Sequence, residues 1–164
     1  MKRFLAVAAL GMLGVLAGHA GPARAHDDHT INQHWTVITQ PGEPTRVNAR
    51  GVLDDSGTVV DVLTLFPDGT FDNLATQVFP HGNLFYHGQG TYTVQVNPVT
   101  CRGTGDVVGP FVITGGTGEY AGATGEGVAL IHLRFFFDRT PTGCAPFPSK
   151  VYGVARANGT LNLP

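Results

Sequence analysis

Apolar and polar side chains alternate at every second residue along much of this chain, and this periodicity limits its fold more than any other feature. Between residues 84 and 96 the even positions are apolar or glycine, whereas the odd positions are mostly polar. The alternation recurs in residues 128–137 and 151–163, where the odd positions form the apolar or small-residue face. Successive side chains of a β-strand point to opposite faces, so the pattern predicts strands with one buried face.

Further segments have the composition of strands, rich in Val, Thr, Phe and Tyr: residues 35–40, 46–53, 58–66, 71–79 and 107–114. Turn sequences separate some of them, namely Pro-Asp-Gly-Thr at 67–70 and Pro-His-Gly-Asn at 80–83. About eight short strands at this spacing predict an all-β domain, either a barrel or a sandwich. The small residues Gly153, Ala155 and Ala157 share one strand face, which suits a crowded barrel interior.

The first 25 residues have the three-part pattern of a secretory signal peptide. Lys2 and Arg3 precede an apolar run over residues 4–17, and Ala-Arg-Ala at 23–25 forms an A-x-A cleavage pattern. The run is shorter than the ~20 residues that span a bilayer, so a retained anchor is the less favoured alternative. We predict a signal peptide over 1–25, a flexible arm over 26–34 and one β domain over 35–164. Cleavage near Ala25 leaves a secreted protein, extracellular or periplasmic, with no integral membrane segment.

Charge and cysteine content limit the partners and the chemistry of the mature part. After cleavage, seven basic residues face twelve acidic ones, and this acidic balance argues against nucleic acid as a partner. The two cysteines, Cys101 and Cys144, are expected to form a disulfide in an exported chain, with two buried free thiols as the alternative. No C-x-x-C spacing supports a zinc site between them.

A glycine-rich segment follows one predicted strand. Its marked positions are Gly115, Gly116, Thr117, Gly118, Tyr120, Ala123 and Gly125. The glycines permit the positive φ angles of a sharp reversal, Tyr120 is placed to plug a barrel end, and Ala123 leaves it room. A phosphate cradle is disfavoured, because the Lys-Ser/Thr of a P-loop is absent and no helix pattern follows.

This segment resembles the GGTG-x-aromatic-x-x-Ala-x-Gly signature of dirigent proteins and is similar to the loop of allene oxide cyclases. The resemblance implies that the domain at 35–164 is a single eight-stranded antiparallel barrel with an apolar lumen, and it suggests a homotrimer. Dirigent proteins guide the coupling of phenoxy radicals, and allene oxide cyclases close a fatty-acid-derived epoxide. The catalytic acidic residues of these families have no identifiable counterparts in this sequence.

Candidate site residues are those that alternation brings to a lumen. Tyr86 and Tyr92 lie on an apolar face and are expected to point inward as polar handles for a ligand. His132 and Arg134 share the polar face of their strand, so they are surface residues if the odd face is the lumen, and lumen residues if the odd face packs on a partner subunit. Asp61 is a further lumen candidate on an uncertain face.

No catalytic set is recognisable. Neither serine lies in G-x-S-x-G, and no cofactor fingerprint or metal set is convincing. The histidines at 26, 29 and 34 near the predicted new N-terminus could bind copper, but a polar arm with incidental metal affinity is favoured. The first hypothesis is therefore an exported barrel that binds a small apolar molecule. The alternatives are a non-redox cyclase, isomerase or dirigent-like protein, and a purely structural secreted domain.

Overall fold

The computed structural model describes residues 31–164. The predicted signal peptide and the predicted arm up to residue 30 lie outside the described residues. The described strands, in chain order, are β1 (Gln33–Thr39), β2 (Thr45–Gly51), β3 (Asp55–Leu65), β4 (Thr70–Phe79), β5 (Gly82–Asn97), β6 (Arg102–Gly116), β7 (Gly125–Phe136), β8 (Arg139–Thr140), β9 (Gly143–Cys144) and β10 (Lys150–Gly159). A short 3₁₀ turn, Gly118–Tyr120, lies between β6 and β7.

Eight of these strands close into a barrel whose order is β1-β10-β7-β6-β5-β4-β3-β2. Every neighbouring pair is antiparallel, which confirms the predicted all-β class and the single eight-stranded antiparallel barrel. Strands β1–β7 pair with their sequence neighbours, and β10 completes the ring by pairing Gln33 with Gly159. Because β1 begins at Gln33, Gln33 and His34 are strand residues and not part of the predicted arm. No helix within residues 31–164 is long and apolar enough to cross a membrane.

One end of the barrel, which we call the closed end, holds most of the buried core. Its buried apolar side chains are Val47, Ala49, Leu53, Phe79, Leu84, Ile113, Tyr120, Ala123 and Leu161. The fully buried Gln33 bonds both backbone groups of Leu53, accepting from its N–H at 2.8 Å and donating to its carbonyl at 2.9 Å. These two bonds leave no buried polar group of that amide unpaired and fix the β2–β3 loop over the barrel end.

The glycine-rich segment forms part of the closed end. Tyr120 is buried and packs edge-on against Phe79, with ring centroids 5.9 Å apart. Gly118 has a φ of +62°, and a Cβ atom there would lie 2.2 Å from the carbonyl oxygen of His81. Only glycine combines that backbone conformation with so close an approach. The segment is thus a structural turn that seals the barrel against the β4–β5 hairpin.

The opposite end, which we call the open end, leaves large apolar side chains in contact with solvent. They are Leu63, Leu65, Phe66, Val94 and Val96, with 41–48% of each residue exposed. The predicted disulfide is confirmed and lies here: Cys101, at the β5–β6 turn, is bonded to Cys144 of β9, with Cα atoms 5.4 Å apart. The bond ties the long β7–β10 connection to the barrel wall.

Candidate functional site

A cavity of about 210 Å³ occupies the barrel lumen between the two ends. It is larger than the ~150 Å³ cavities known to bind benzene and smaller than the ~300–1,000 Å³ pockets of drug-sized ligands. Asp61 and Leu63, both exposed, are among its lining residues, so the cavity reaches solvent at the open end. The lumen therefore has room for one small molecule that enters from that end.

One side of the cavity is apolar. Strands β6, β7 and β10 supply its lining side chains Val107, Phe111, Ala129, Ile131, Leu133, Ala155 and Ala157. Of the three small residues on one face of β10, Ala155 and Ala157 border the cavity directly. Gly153 also lines it, but the Leu133 side chain fills the adjacent space, since a Cβ on Gly153 would lie 2.8 Å from Leu133 Cδ2. The free volume is consequently beside the two alanines.

Three aromatic rings form the inner floor of the cavity. Trp35 makes edge-to-face contacts with Phe111 at 5.5 Å and with Tyr86 at 6.1 Å, and Tyr86 and Phe111 are 5.8 Å apart. Such contacts hold aromatic side chains in fixed orientations. Trp35 is 2% exposed, and its Nε1–H has no hydrogen-bond partner of good geometry among the described residues. Burial raises the pKa of the Tyr86 hydroxyl, and the nearby Trp35 Nε1–H opposes part of that rise.

The side of the cavity formed by β3, β4 and β5, which we call the polar side, carries most of the polar lining side chains among apolar neighbours such as Val59 and Phe71. The Tyr86 hydroxyl donates a hydrogen bond of 2.7 Å to Oε1 of the buried Gln77. Asn73 Oδ1 is buried without a partner, and Asp61 stands opposite Ala75, diagonal to both Asn73 and Gln77. Burial raises the pKa of Tyr86 far above its ordinary value, so its phenol stays neutral and acts as a hydrogen-bond donor.

The structure brings some of the predicted site residues together and separates others. Tyr86 and Asp61 line the cavity. Tyr92 lies on the same face of β5 as Tyr86 but past the cavity at the open end, where its hydroxyl donates to the Phe66 carbonyl at 2.9 Å. His132 and Arg134 are on the outer wall and not in the lumen.

The outer position of these two residues follows from the apolar odd face of β7, whose Ala129, Ile131 and Leu133 line the cavity. His132 is instead paired with Asp106 on the neighbouring outer face of β6, at 2.5 Å between His132 Nδ1 and Asp106 Oδ1, and both side chains are largely exposed. The surface alternative for His132 and Arg134 is thus the one the structure adopts.

Sequence reasoning did not identify Trp35, Asn73, Gln77 and Phe111 as lining residues. A signal for two of them is present, because Asn73 and Gln77 share the odd positions of β4 with Phe71, Ala75 and Phe79. Two amides on an otherwise apolar strand face indicate a buried polar site. Trp35 and Phe111 carry no comparable signal, since apolar rings on an inward face are ordinary core residues.

Neither a metal-binding group nor similarity to known proteins indicates what the cavity does. Within residues 31–164, no group of three or more His, Cys, Asp or Glu side chains could hold a metal ion. The copper-binding alternative at the histidines of 26 and 29 lies outside the described residues. No protein-family model, no curated protein and no solved structure matches the chain. The geometry of the lumen therefore carries the functional argument.

Proposed function

We propose that this protein is an exported barrel that binds one small, largely apolar molecule in its lumen. The observation that carries the proposal is the cavity of about 210 Å³, which is open to solvent at one end and lined by apolar side chains on β6, β7 and β10. A packed barrel would have filled this space, because protein interiors normally leave few voids larger than a water molecule. Burial of apolar ligand surface against these side chains would drive binding.

Binding is favoured over catalysis by the ionisable groups of the lumen. Among the described lining residues these are Asp61 and Tyr86. The raised pKa of Tyr86 keeps it neutral, so it does not serve as a base at ordinary pH. Asp61 is the one carboxylate that a cyclase, isomerase or dirigent-like reaction could use, and it keeps that alternative function open. Membership of the allene oxide cyclase and dirigent superfamily is part of the proposal, supported by the barrel and the glycine-rich turn.

The test is a screen of small apolar molecules against the mature protein, followed by melting temperature and by the fluorescence of Trp35, the chain's one tryptophan. A ligand at 100 times its Kd should add about 2.7 kcal/mol of stability. Ala155→Phe places a ring in the cavity and should abolish the shift. Val154→Phe, which points outward from the same strand, is the matched control and should leave it unchanged. A shift that survives Ala155→Phe would place binding outside the lumen.

We also propose export after cleavage near Ala25 and assembly as a homotrimer. The disulfide supports export, since such bonds persist in oxidising compartments. Exposed apolar side chains on the outer face of β6 and β7, Val108, Val112, Val128 and Leu130, support burial of that face between subunits. N-terminal sequencing of the exported protein tests the cleavage site. Sedimentation equilibrium tests the trimer, which Leu130→Arg should dissociate.

A further inference from the structure

We infer that the lumen selects its guest by charge, accepting neutral or cationic molecules that carry a hydrogen-bond donor and rejecting carboxylates, with Asp61 as the residue that decides. This inference rests on the proposed function and specifies its ligand class. It follows from the chemistry of the lining side chains and from their positions on the strands.

The charges around the cavity have one sign. None of the described residues that line it is Lys, Arg or His, and Asp61 is its one carboxylate. Arg46, Arg134 and Arg156 each follow a lining residue on their strand and therefore point outward, and Arg46 is also paired with Glu43 at 2.8 Å. An anionic guest would thus meet a like charge with no compensating cation.

The hydrogen-bonding groups of the polar side lead to the same conclusion. Asn73 offers a buried carbonyl oxygen without a partner, and Asp61 offers carboxylate oxygens. The Tyr86 hydroxyl, a donor, is already engaged with Gln77 at 2.7 Å. The unpaired Nε1–H donor of Trp35 lies on the cavity floor next to Tyr86, so a polar terminus beside Asp61 meets the carboxylate oxygens of Asp61 and the unpaired oxygen of Asn73. An ionised carboxylate has no donor to give them, whereas an alcohol has one and a primary ammonium has three.

The position of Asp61 places this choice on the path into the cavity. Asp61 is opposite Ala75 on β4, one inward-facing position further from the open end than Leu63, which is opposite Asn73. A ring that reaches Trp35 and Phe111 on the floor would leave its polar terminus beside Asp61 and Asn73. The volume of about 210 Å³ suits a single ring with a short chain.

A matched series of probes tests the inference: 3-phenylpropan-1-ol, 3-phenylpropylamine and 3-phenylpropanoate share one ring and chain and differ in the terminal group. Affinities are measured near pH 7 by calorimetry and by Trp35 fluorescence. The wild-type protein should bind the carboxylate about tenfold or more weakly than the alcohol, and the amine at least as tightly as the alcohol. Higher salt should reduce the difference in affinity between the amine and the alcohol, because Asp61 is exposed to solvent and salt screens its charge.

Three variants assign the effect to Asp61. Asp61→Asn should bring the carboxylate within about threefold of the alcohol, whereas Asp61→Glu should keep the discrimination. Asp106→Asn removes the same charge from the outer wall and should leave the order of affinities unchanged. Melting temperature and circular dichroism confirm that each variant is folded.

The possible results distinguish failure of ligand binding in the lumen from failure of charge selection by Asp61. If none of the three probes binds, the proposed lumen site and this inference are both refuted for guests of this size. If the alcohol binds but the carboxylate binds equally well, or if the gap persists in Asp61→Asn, binding in the lumen stands and selection by Asp61 is refuted.

Discussion

The same strands form both ends of the barrel, but their inward side chains are buried at the closed end and exposed at the open end. At the closed end the inward side chains, such as Leu84 and Leu161, are almost completely buried, and a glutamine and a tyrosine seal the interior. At the open end the inward positions of β3 and β5 continue past the core and remain exposed, as at Leu63 and Val94. Hydrophobic stabilisation scales with apolar area removed from water, so the closed end holds the fold together.

The difference explains how an unfilled cavity persists in a small barrel. A cavity costs stability, because its lining atoms lose packing contacts. Here the closed end supplies a dense core, and the open end is held by a covalent bond between Cys101 and Cys144. The barrel can therefore remain folded although the lumen between the two ends is not fully packed.

The largest expected effect comes from truncating the same residue type at each end. Leu84→Ala removes a side chain with 0% exposure and should lower the free energy of unfolding by about 2–5 kcal/mol. Leu63→Ala acts at a residue that is 44% exposed and should cost about 1 kcal/mol or less. Urea unfolding of both variants measures the difference. Equal losses would show that the two ends contribute equally.

Loss of the disulfide should cause the second largest fall in the free energy of unfolding, and it should loosen the open end of the barrel. The bond joins residues 43 apart in sequence, and its removal by Cys101→Ser with Cys144→Ser should cost about 2–4 kcal/mol. Hydrogen exchange should rise most in the connection that contains β8 and β9. Protection that falls first at Leu84 and Leu161 would contradict the assignment of the bond to the open end.

Two tyrosines on one face of β5 provide a smaller, sharper comparison. Tyr86→Phe leaves Oε1 of the buried Gln77 without its donor and should cost about 1–3 kcal/mol. Tyr92→Phe removes a bond to the Phe66 carbonyl in an exposed setting, where water replaces it, and should be close to neutral. Denaturant midpoints decide the matter, and a cost at Tyr92 equal to that at Tyr86 would remove the distinction.

The smallest expected effect is the pH-dependent contribution of Asp68, in the β3–β4 turn at the open end, to the stability of the fold. The Thr70 hydroxyl and then the Thr70 N–H donate to Asp68, and they hold the pKa of Asp68 below its ordinary 3.8. A lowered native pKa stabilises the fold above the ordinary value, and the stabilisation is lost as pH falls through the lower native value. Wild type and Asp68→Ala should therefore differ near pH 7 and converge near pH 2. A difference independent of pH would exclude this origin.

Alternation predicted three of the strands, within residues 84–96, 128–137 and 151–163, because it records directly which side chains avoid water, and residue composition predicted the other five. It failed where glycine replaces an apolar residue. β6 begins at Arg102, not near 107, since Gly103 and Gly105 face the ring of Phe135, which occupies the space their side chains would need. A glycine in that position has no apolar signature in sequence.

The candidate site was less predictable, because it depends on where along each strand the lumen ends. β5 has 16 residues and extends beyond the cavity, so Tyr86 and Tyr92 share a face but not a site. The faces of β7 were also undetermined, since an apolar row such as Ile131 and Leu133 could equally have packed against another subunit. The relative positions of Asp61 and Asn73 required the register of β3 against β4.

The pairing of Gln33 with Gly159 has a consequence for the order in which the fold is acquired. The ring joins its first strand to its last, so a chain that emerges from its N-terminus is an open sheet until β10 is available. During that interval β1 and β7 are unpaired edges, which invite association with other chains. Contacts between such distant residues also form slowly, because the loop between them must close first. The lumen is therefore completed only when the final strand docks, and the two edges stay exposed until then.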